Sequence, residues 1–144
     1  MIQTESLTDL YERDETAWLE IMADLVAKKR FAEMDYRHLS EYLSDMAIRD
    51  RREVKSRLVQ LLLHLLKWEH QPENRASSWE NSVFEQRLEL QGLLESGTLR
   101  NHALEILDAV YALARKEAAK QTRLKIGKVP KECPWSLDEL LADD

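Results

Sequence analysis

A row of polar residues in the middle of the chain combines an acid, a base and a histidine. Asp50, Arg57, His64 and Gln71 follow one another at seven-residue steps, so on a helix they form a row in which Asp50 falls inside an apolar arc and Arg57 and His64 lie at its edge. Glu53 stands four residues before Arg57, the acid-first order that favours an ion pair. A histidine or carboxylate held in a cleft beside a base can transfer protons. Half-buried charges at such a border also form purely structural pairs, and the spacing leaves both readings open.

A second candidate site is the stretch from Arg115 to Lys131, which holds seven bases and one acid, Glu117. Clustered bases are what phosphate binding requires. The candidate phosphate-binding residues are Lys120, Arg123, Lys125 and Lys128. The alternative is a solvated helix face before an acidic tail, and the net charge of −6 argues against a dedicated nucleic-acid binder.

Other chemistry finds no support in the sequence. The four histidines (His38, His64, His70 and His102) lie in unlike contexts. No Glu-x-x-His motif of a di-metal bundle occurs, and neither does a glycine-rich phosphate loop or a nucleophile elbow. We therefore expect no metal and no cofactor, and the sequence favours a non-enzyme without deciding the question.

The elements that carry these residues are predicted to be helices. Three glycines and three prolines in 144 residues leave few helix breakers, and apolar residues recur at three- and four-residue steps. We predict one all-α domain over residues 1–144. Its elements are four helices, at 7–30, 36–71, 78–96 and 99–122, and a short C-terminal helix at 136–142 on an extended strap.

Capping residues predict the helix ends. The predicted caps are Ser6 or Thr8 for the first helix, Asp35 for the second, a Ser77–Glu80 box for the third, Gly97 and Thr98 between the third and fourth, and a Ser136–Glu139 box for the last. The inner face of the third helix is predicted at Trp79, Val83, Leu90, Leu93 and Leu94.

The second helix is unusually long, about 50 Å at 1.5 Å per residue. It therefore bends between Ile48 and Arg52 or extends beyond its neighbours, where a partner protein or a second copy could bind. The longest uncharged apolar run, Leu61 to Leu66, is interrupted by His64 and too short to span a membrane. The N-terminus lacks a secretory pattern, and a single cysteine, Cys133, fits a reducing compartment. We expect a cytoplasmic protein.

Three separated blocks, LTDLYERDETAWL, LLLHLLKWEHQPENRASSW and CPWSLDELL, resemble the bacterial family catalogued as domain of unknown function, number 29. The resemblance runs from Leu7 to Leu141 and implies an all-helical fold without a known activity. The family pattern stresses positions that match His64, Lys67, Trp68, Gln71, Pro72, Arg75, Trp79, Pro134 and Trp135. Ala47 departs from it, since a glycine is often expected there. In this reading Arg75 bonds carbonyls of the long helix, and it joins the candidate polar cluster with Asp50, Glu53, Arg57 and His64.

The sequence thus favours an intracellular helical protein-interaction or accessory protein, which acts through the long second helix or the basic stretch. The first alternative is an enzyme or ligand-binding protein with a polar cleft around His64. The second alternative is a weak nucleic-acid binder that uses residues 115–131.

Overall fold

The computed structural model describes residues 6–143, and every regular element in that range is a helix. The helices are α1 (Leu7–Arg13), α2 (Glu15–Ala27), α3 (Tyr36–His70), α4 (Ser77–Leu93), α5 (Gly97–Thr122) and α6 (Leu137–Leu141). Short 3₁₀ turns lie at Phe31–Glu33, Pro72–Asn74 and Ile126–Lys128. The predicted all-α fold with one long helix and a short C-terminal helix is confirmed, and the long helix predicted at 36–71 is α3. In the described range no helix is long and apolar enough to cross a lipid bilayer.

The chain forms two compact units, Met1–Ile48 and Arg49–Asp144. α3 runs unbroken through the boundary between them. The single domain over residues 1–144 stays a prediction.

The predicted helix at 7–30 is wrong, because two helices occupy this segment. Asp14 leaves helical geometry (φ −151°, ψ 84°), and its carboxylate accepts a hydrogen bond from the Ala17 amide at 3.1 Å. Asp14, which the prediction placed inside a helix, is here the N-cap of α2. Ser6 caps α1, as predicted, by accepting from the Asp9 amide at 3.2 Å.

The first unit is built around Trp18, which is fully buried, and Leu10, Met22 and Leu25 are buried around it. The indole of Trp18 meets the Tyr11 ring edge-on, with centroids 4.8 Å apart. Aromatic pairs of this geometry add to the stability that apolar burial supplies.

Asp35 ties the start of α3 to this core. Its carboxylate accepts from the Trp18 indole at 3.2 Å, the His38 Nδ1 at 2.7 Å and the His38 amide at 3.3 Å. Asp35 is thus the N-cap of α3, as predicted, and its carboxylate also accepts hydrogen bonds from the side chains of Trp18 and His38. His38 is buried and stacks on Tyr11, with centroids 4.3 Å apart. Burial by itself would raise the pKa of Asp35, but the hydrogen bonds from His38 and Trp18 hold that pKa below its usual value.

The second unit packs around the C-terminal half of α3. Leu61, Leu62 and Leu63 are consecutive, and all three are buried. Successive helical side chains point about 100° apart, so α3 is covered over a wide arc. The covering residues come from α4 and its C-cap, from α5, from the strap (residues 123–136, between α5 and α6) and from α6. They are Leu90, Leu94, Leu99, Ala103, Val110, Ala114, Ala118, Val129, Leu137 and Leu140.

Two predicted caps between α3 and α5 are wrong. α4 begins at Ser77 itself, with Ala76 in the cap position and no side-chain bond, so the Ser77–Glu80 box does not form. Gly97 does not end α4 in the left-handed region but is the first residue of α5, because Ser96 caps that helix by accepting from the Leu99 amide at 3.3 Å. The turn after α4 needs no residue with positive φ.

The predicted capping box of α6 is confirmed. The Glu139 amide donates to the Ser136 hydroxyl at 3.1 Å, and the Ser136 amide donates to the Glu139 carboxylate at 3.2 Å. The strap before it is anchored by Val129, which is buried, while Ile126 is exposed.

We predict that Asp35→Asn lowers the free energy of unfolding by about 1–2 kcal/mol at pH 7, because an amide cannot supply the charge that the Trp18 and His38 donors stabilise. The folded-state pKa of Asp35 lies below the unfolded value. Its ionised carboxylate therefore stabilises the fold above about pH 4, and this contribution disappears as the pH falls through the folded-state pKa.

Urea unfolding at several pH values checks this prediction. The difference between wild type and variant should shrink between about pH 5 and pH 3. Asp14→Asn is the matched control, because Asp14 caps α2 through one amide bond that asparagine also accepts. A difference that does not change with pH would contradict the account of Asp35.

Candidate functional site

Arg57 is the centre of the polar row on α3. Its Nε lies 3.0 Å from the Glu53 carboxylate, which confirms the predicted pair, and its Nη1 donates to Gln86 Oε1 on α4 at 3.2 Å. Its Nη2 lies 3.9 Å from the Glu89 carboxylate. Asp50 is exposed, and no hydrogen bond or ion pair in residues 6–143 joins it to Arg57. The guanidinium thus links α3 to α4, and the row does not extend to Asp50.

His64 lies one turn from Gln60 and faces Ser82 on α4. The Nδ1 of His64 is 2.7 Å from the Gln60 carbonyl oxygen. Because a carbonyl oxygen can only accept, Nδ1 carries the proton and donates it. The Ser82 hydroxyl is 3.4 Å from the same Nδ1, so Nδ1 has no lone pair with which to activate that serine. The remaining lone pair of the neutral ring lies on Nε2.

Arg75 stands in a different place from His64, at the turn between α3 and α4. Its Nε donates to the Trp68 carbonyl at 2.9 Å, and its guanidinium carbon lies 4.7 Å from the centroid of the Trp68 ring. The carbonyl bond expected for Arg75 is therefore present. The Lys67 ammonium lies 4.8 Å from the centroid of Trp79, and two cations over two indoles hold this turn together.

The basic stretch divides into a structural residue and exposed ones. Arg115 donates to the Val129 carbonyl at 3.1 Å and the Ile126 carbonyl at 2.9 Å, so it fastens the strap to α5. The four candidate phosphate-binding side chains are exposed and make no ion pair with any residue of the described range: Lys120, Arg123, Lys125 and Lys128. They surround the end of α5, where Arg123 takes the left-handed cap position (φ 61°).

A groove between α3 and α4 is the feature that the sequence reasoning missed. Its cavity measures about 420 Å³. The lining residues are Leu65 and Trp68 from α3, Glu80, Val83, Phe84 and Arg87 from α4, and Asp143. Phe84 at the rim is 66% exposed, and Leu88 one turn along α4 is 55% exposed. The sequence contained a signal for this surface, because Phe84 and Leu88 are four residues apart and neither belongs to the predicted inner face of the helix.

Cys133 has the chemistry of a packing residue. Burial raises the pKa of its thiol, which lies 3.3 Å from the Trp135 carbonyl. The thiol is therefore protonated at neutral pH, and a protonated thiol is a poor nucleophile. In residues 6–143 no group of three or more histidine, cysteine or carboxylate side chains is arranged to hold a metal ion.

Comparison with known proteins identifies the family. The family model described as "Domain of unknown function DUF29" matches residues 10–144. The chain therefore belongs to this family, whose description assigns no function. No curated protein matches the sequence, and no solved structure matches it.

We predict that neutral His64 carries its proton on Nδ1, the less common tautomer, because of the Gln60 carbonyl. Long-range ¹H–¹⁵N spectra above pH 8 distinguish the two ring nitrogens. Ser82→Ala should leave the assignment unchanged, since the serine is not needed for the Nδ1–H bond. Observation of the Nε2–H form would contradict this geometry and would leave Nδ1 free to act on Ser82.

Proposed function

We propose that this chain is a protein-interaction domain that docks its partner on the groove between α3 and α4 and on the exposed face of α4. We call this surface the α4 stripe, defined by Phe84 and Leu88 together with Leu65, Trp68 and Val83 in the groove. The observation that carries the proposal is the exposure of Phe84 at a cavity that it lines together with Leu65, Trp68 and Val83, beside the charged side chains of Glu80, Arg87 and Asp143.

The α4 stripe has the make-up of a binding hot spot. Burial of an exposed phenylalanine is worth about 1.5–3 kcal/mol, and this gain is not used within the chain. Aromatic side chains are enriched in the cores of interfaces. An amphipathic helix that docks in a groove inserts side chains spaced three or four residues apart, and the cavity beside Trp68 offers a place for one of them.

The charges around the α4 stripe specify the chemistry of the partner. Glu80 and Glu85 flank Phe84 on α4, and neither carboxylate has an ion-pair partner in the described part of the chain. A partner segment with apolar residues and basic flanks would complement both features. The long helix α3 takes part in this surface through Leu65 and Trp68.

We also propose the bacterial cytoplasm as the place of action. The family resemblance supports the bacterial origin. A single cysteine without an internal disulfide partner fits a reducing compartment.

Site-specific photo-cross-linking in cells tests the proposal. A photoreactive amino acid replaces Asn81, which is exposed and one turn before Phe84. We expect a discrete cross-linked product that Phe84→Ser reduces at least about tenfold, as loss of a hot-spot residue does. The variant should keep its melting temperature, because the side chain is exposed.

The matched control uses the same geometry on α5. There the photoreactive residue replaces Asn101, and Leu104→Ser removes a side chain that is 53% exposed. The control pair should give no product that depends on Leu104. A product at Asn81 that survives Phe84→Ser, or no product at all, would refute the proposal.

A further inference from the structure

We propose that the α4 stripe of one copy binds the basic end of α5 of a second copy, so that the protein forms a two-fold dimer. The basic end of α5 is defined as residues 113–128, which include the start of the strap. This inference rests on the proposed function, because it names the occupant of the surface defined there. It also assigns a role to the exposed bases that sequence reasoning had marked as a phosphate site.

The basic end of α5 has the composition that the α4 stripe requires. Leu113, Lys116 and Lys120 are exposed, and their spacing puts them on one side of the helix. Ile126 on the strap is exposed as well, between Lys125 and Lys128. This surface therefore presents apolar side chains among bases, where the α4 stripe presents Phe84 and Leu88 beside Glu80 and Glu85, with Arg87 as a base in the lining of the groove.

The complementarity of the two surfaces is not satisfied within one copy. In the described residues no ion pair joins Glu80 or Glu85 to Lys116, Lys120 or any other base. A second copy can supply the missing contacts. Two-fold symmetry would form the contact twice, α4 of one protomer against α5 of the other and the reverse, and would close the assembly at two chains.

The charge distribution also favours one register over others. The stretch 115–131 has seven bases and one acid, in a chain with 21 bases and 27 acids. Two copies therefore carry the same net negative charge, whereas the basic end of α5 attracts the acids beside Phe84. Net repulsion together with attraction at one patch fixes the orientation of a complex.

Sedimentation velocity on the full chain tests the dimer, at about 1 µM to 1 mM protein in low salt. Wild type should dimerise, and raised salt should weaken the dimer. Glu80→Lys with Glu85→Lys should weaken dimerisation about tenfold or more, and Lys116→Glu with Lys120→Glu should do the same. All four substitutions together restore opposite charges and should recover the dimer.

The control reverses Glu41→Lys and Asp45→Lys on α3, which changes the net charge as much as the α4 pair does and should leave the dimer intact. Circular dichroism verifies that each variant is folded. A wild-type monomer at every concentration, a dimer indifferent to both reversals, or no recovery in the fourfold variant would each overturn the inference.

Other occupants of these surfaces give distinct outcomes. A monomeric wild type with a Phe84-dependent cross-link to a different protein would overturn the dimer and leave the proposed function standing. If no cross-linked product depends on Phe84, both the dimer and the proposed function are refuted. A monomeric wild type whose Lys116 and Lys120 bind a labelled single-stranded oligonucleotide in low salt would overturn the dimer and assign the basic end of α5 to polyanions.

Discussion

The burial of three consecutive leucines on α3 is the constraint on which the second unit depends. Leu61, Leu62 and Leu63 point in directions about 100° apart, so α4, α5 and the strap must surround the helix to cover them. Polar residues of α3 are then restricted to the remaining edge. Arg57 and His64 lie there, where they bond to Glu53, to a main-chain carbonyl and to α4.

The same constraint decides which apolar residues stay outside. α4 uses one side to cover α3, and Leu90 on that side is fully buried. Phe84 lies at the rim of the groove and Leu88 one turn further along α4, and both side chains stay more than half exposed. The strap likewise fastens to α5 through Arg115 and leaves its neighbouring lysines exposed. An acid-flanked apolar surface and a base-flanked one both result from how the core is closed.

Part of the local interactions was predictable from the sequence, although the Ser77–Glu80 box has the right spacing and does not form, and contacts distant in sequence were not predictable. The Asp35 cap, the Ser136–Glu139 box and the Glu53–Arg57 pair join residues three or four apart, so spacing alone reveals them. The break at Asp14 was missed because a helix interior and an N-cap both accept an acid at such a position. Trp18 reaches Asp35 across 17 residues, and Arg115 reaches the strap beyond its own helix. The exposure of Phe84 depends on which side of α4 faces the core, and periodicity leaves several apolar residues competing for that side.

Hydrogen exchange of the full chain at low and high protein concentration tests the central claim, that the α4 stripe binds residues 113–128 of a second copy, most directly. The account predicts that high concentration slows exchange in α4 around Phe84 and Leu88 and in the segment 113–128, and leaves α1 and α2 unchanged. Exchange in α4 that does not depend on concentration, with protection confined to α1 and α2, would contradict it.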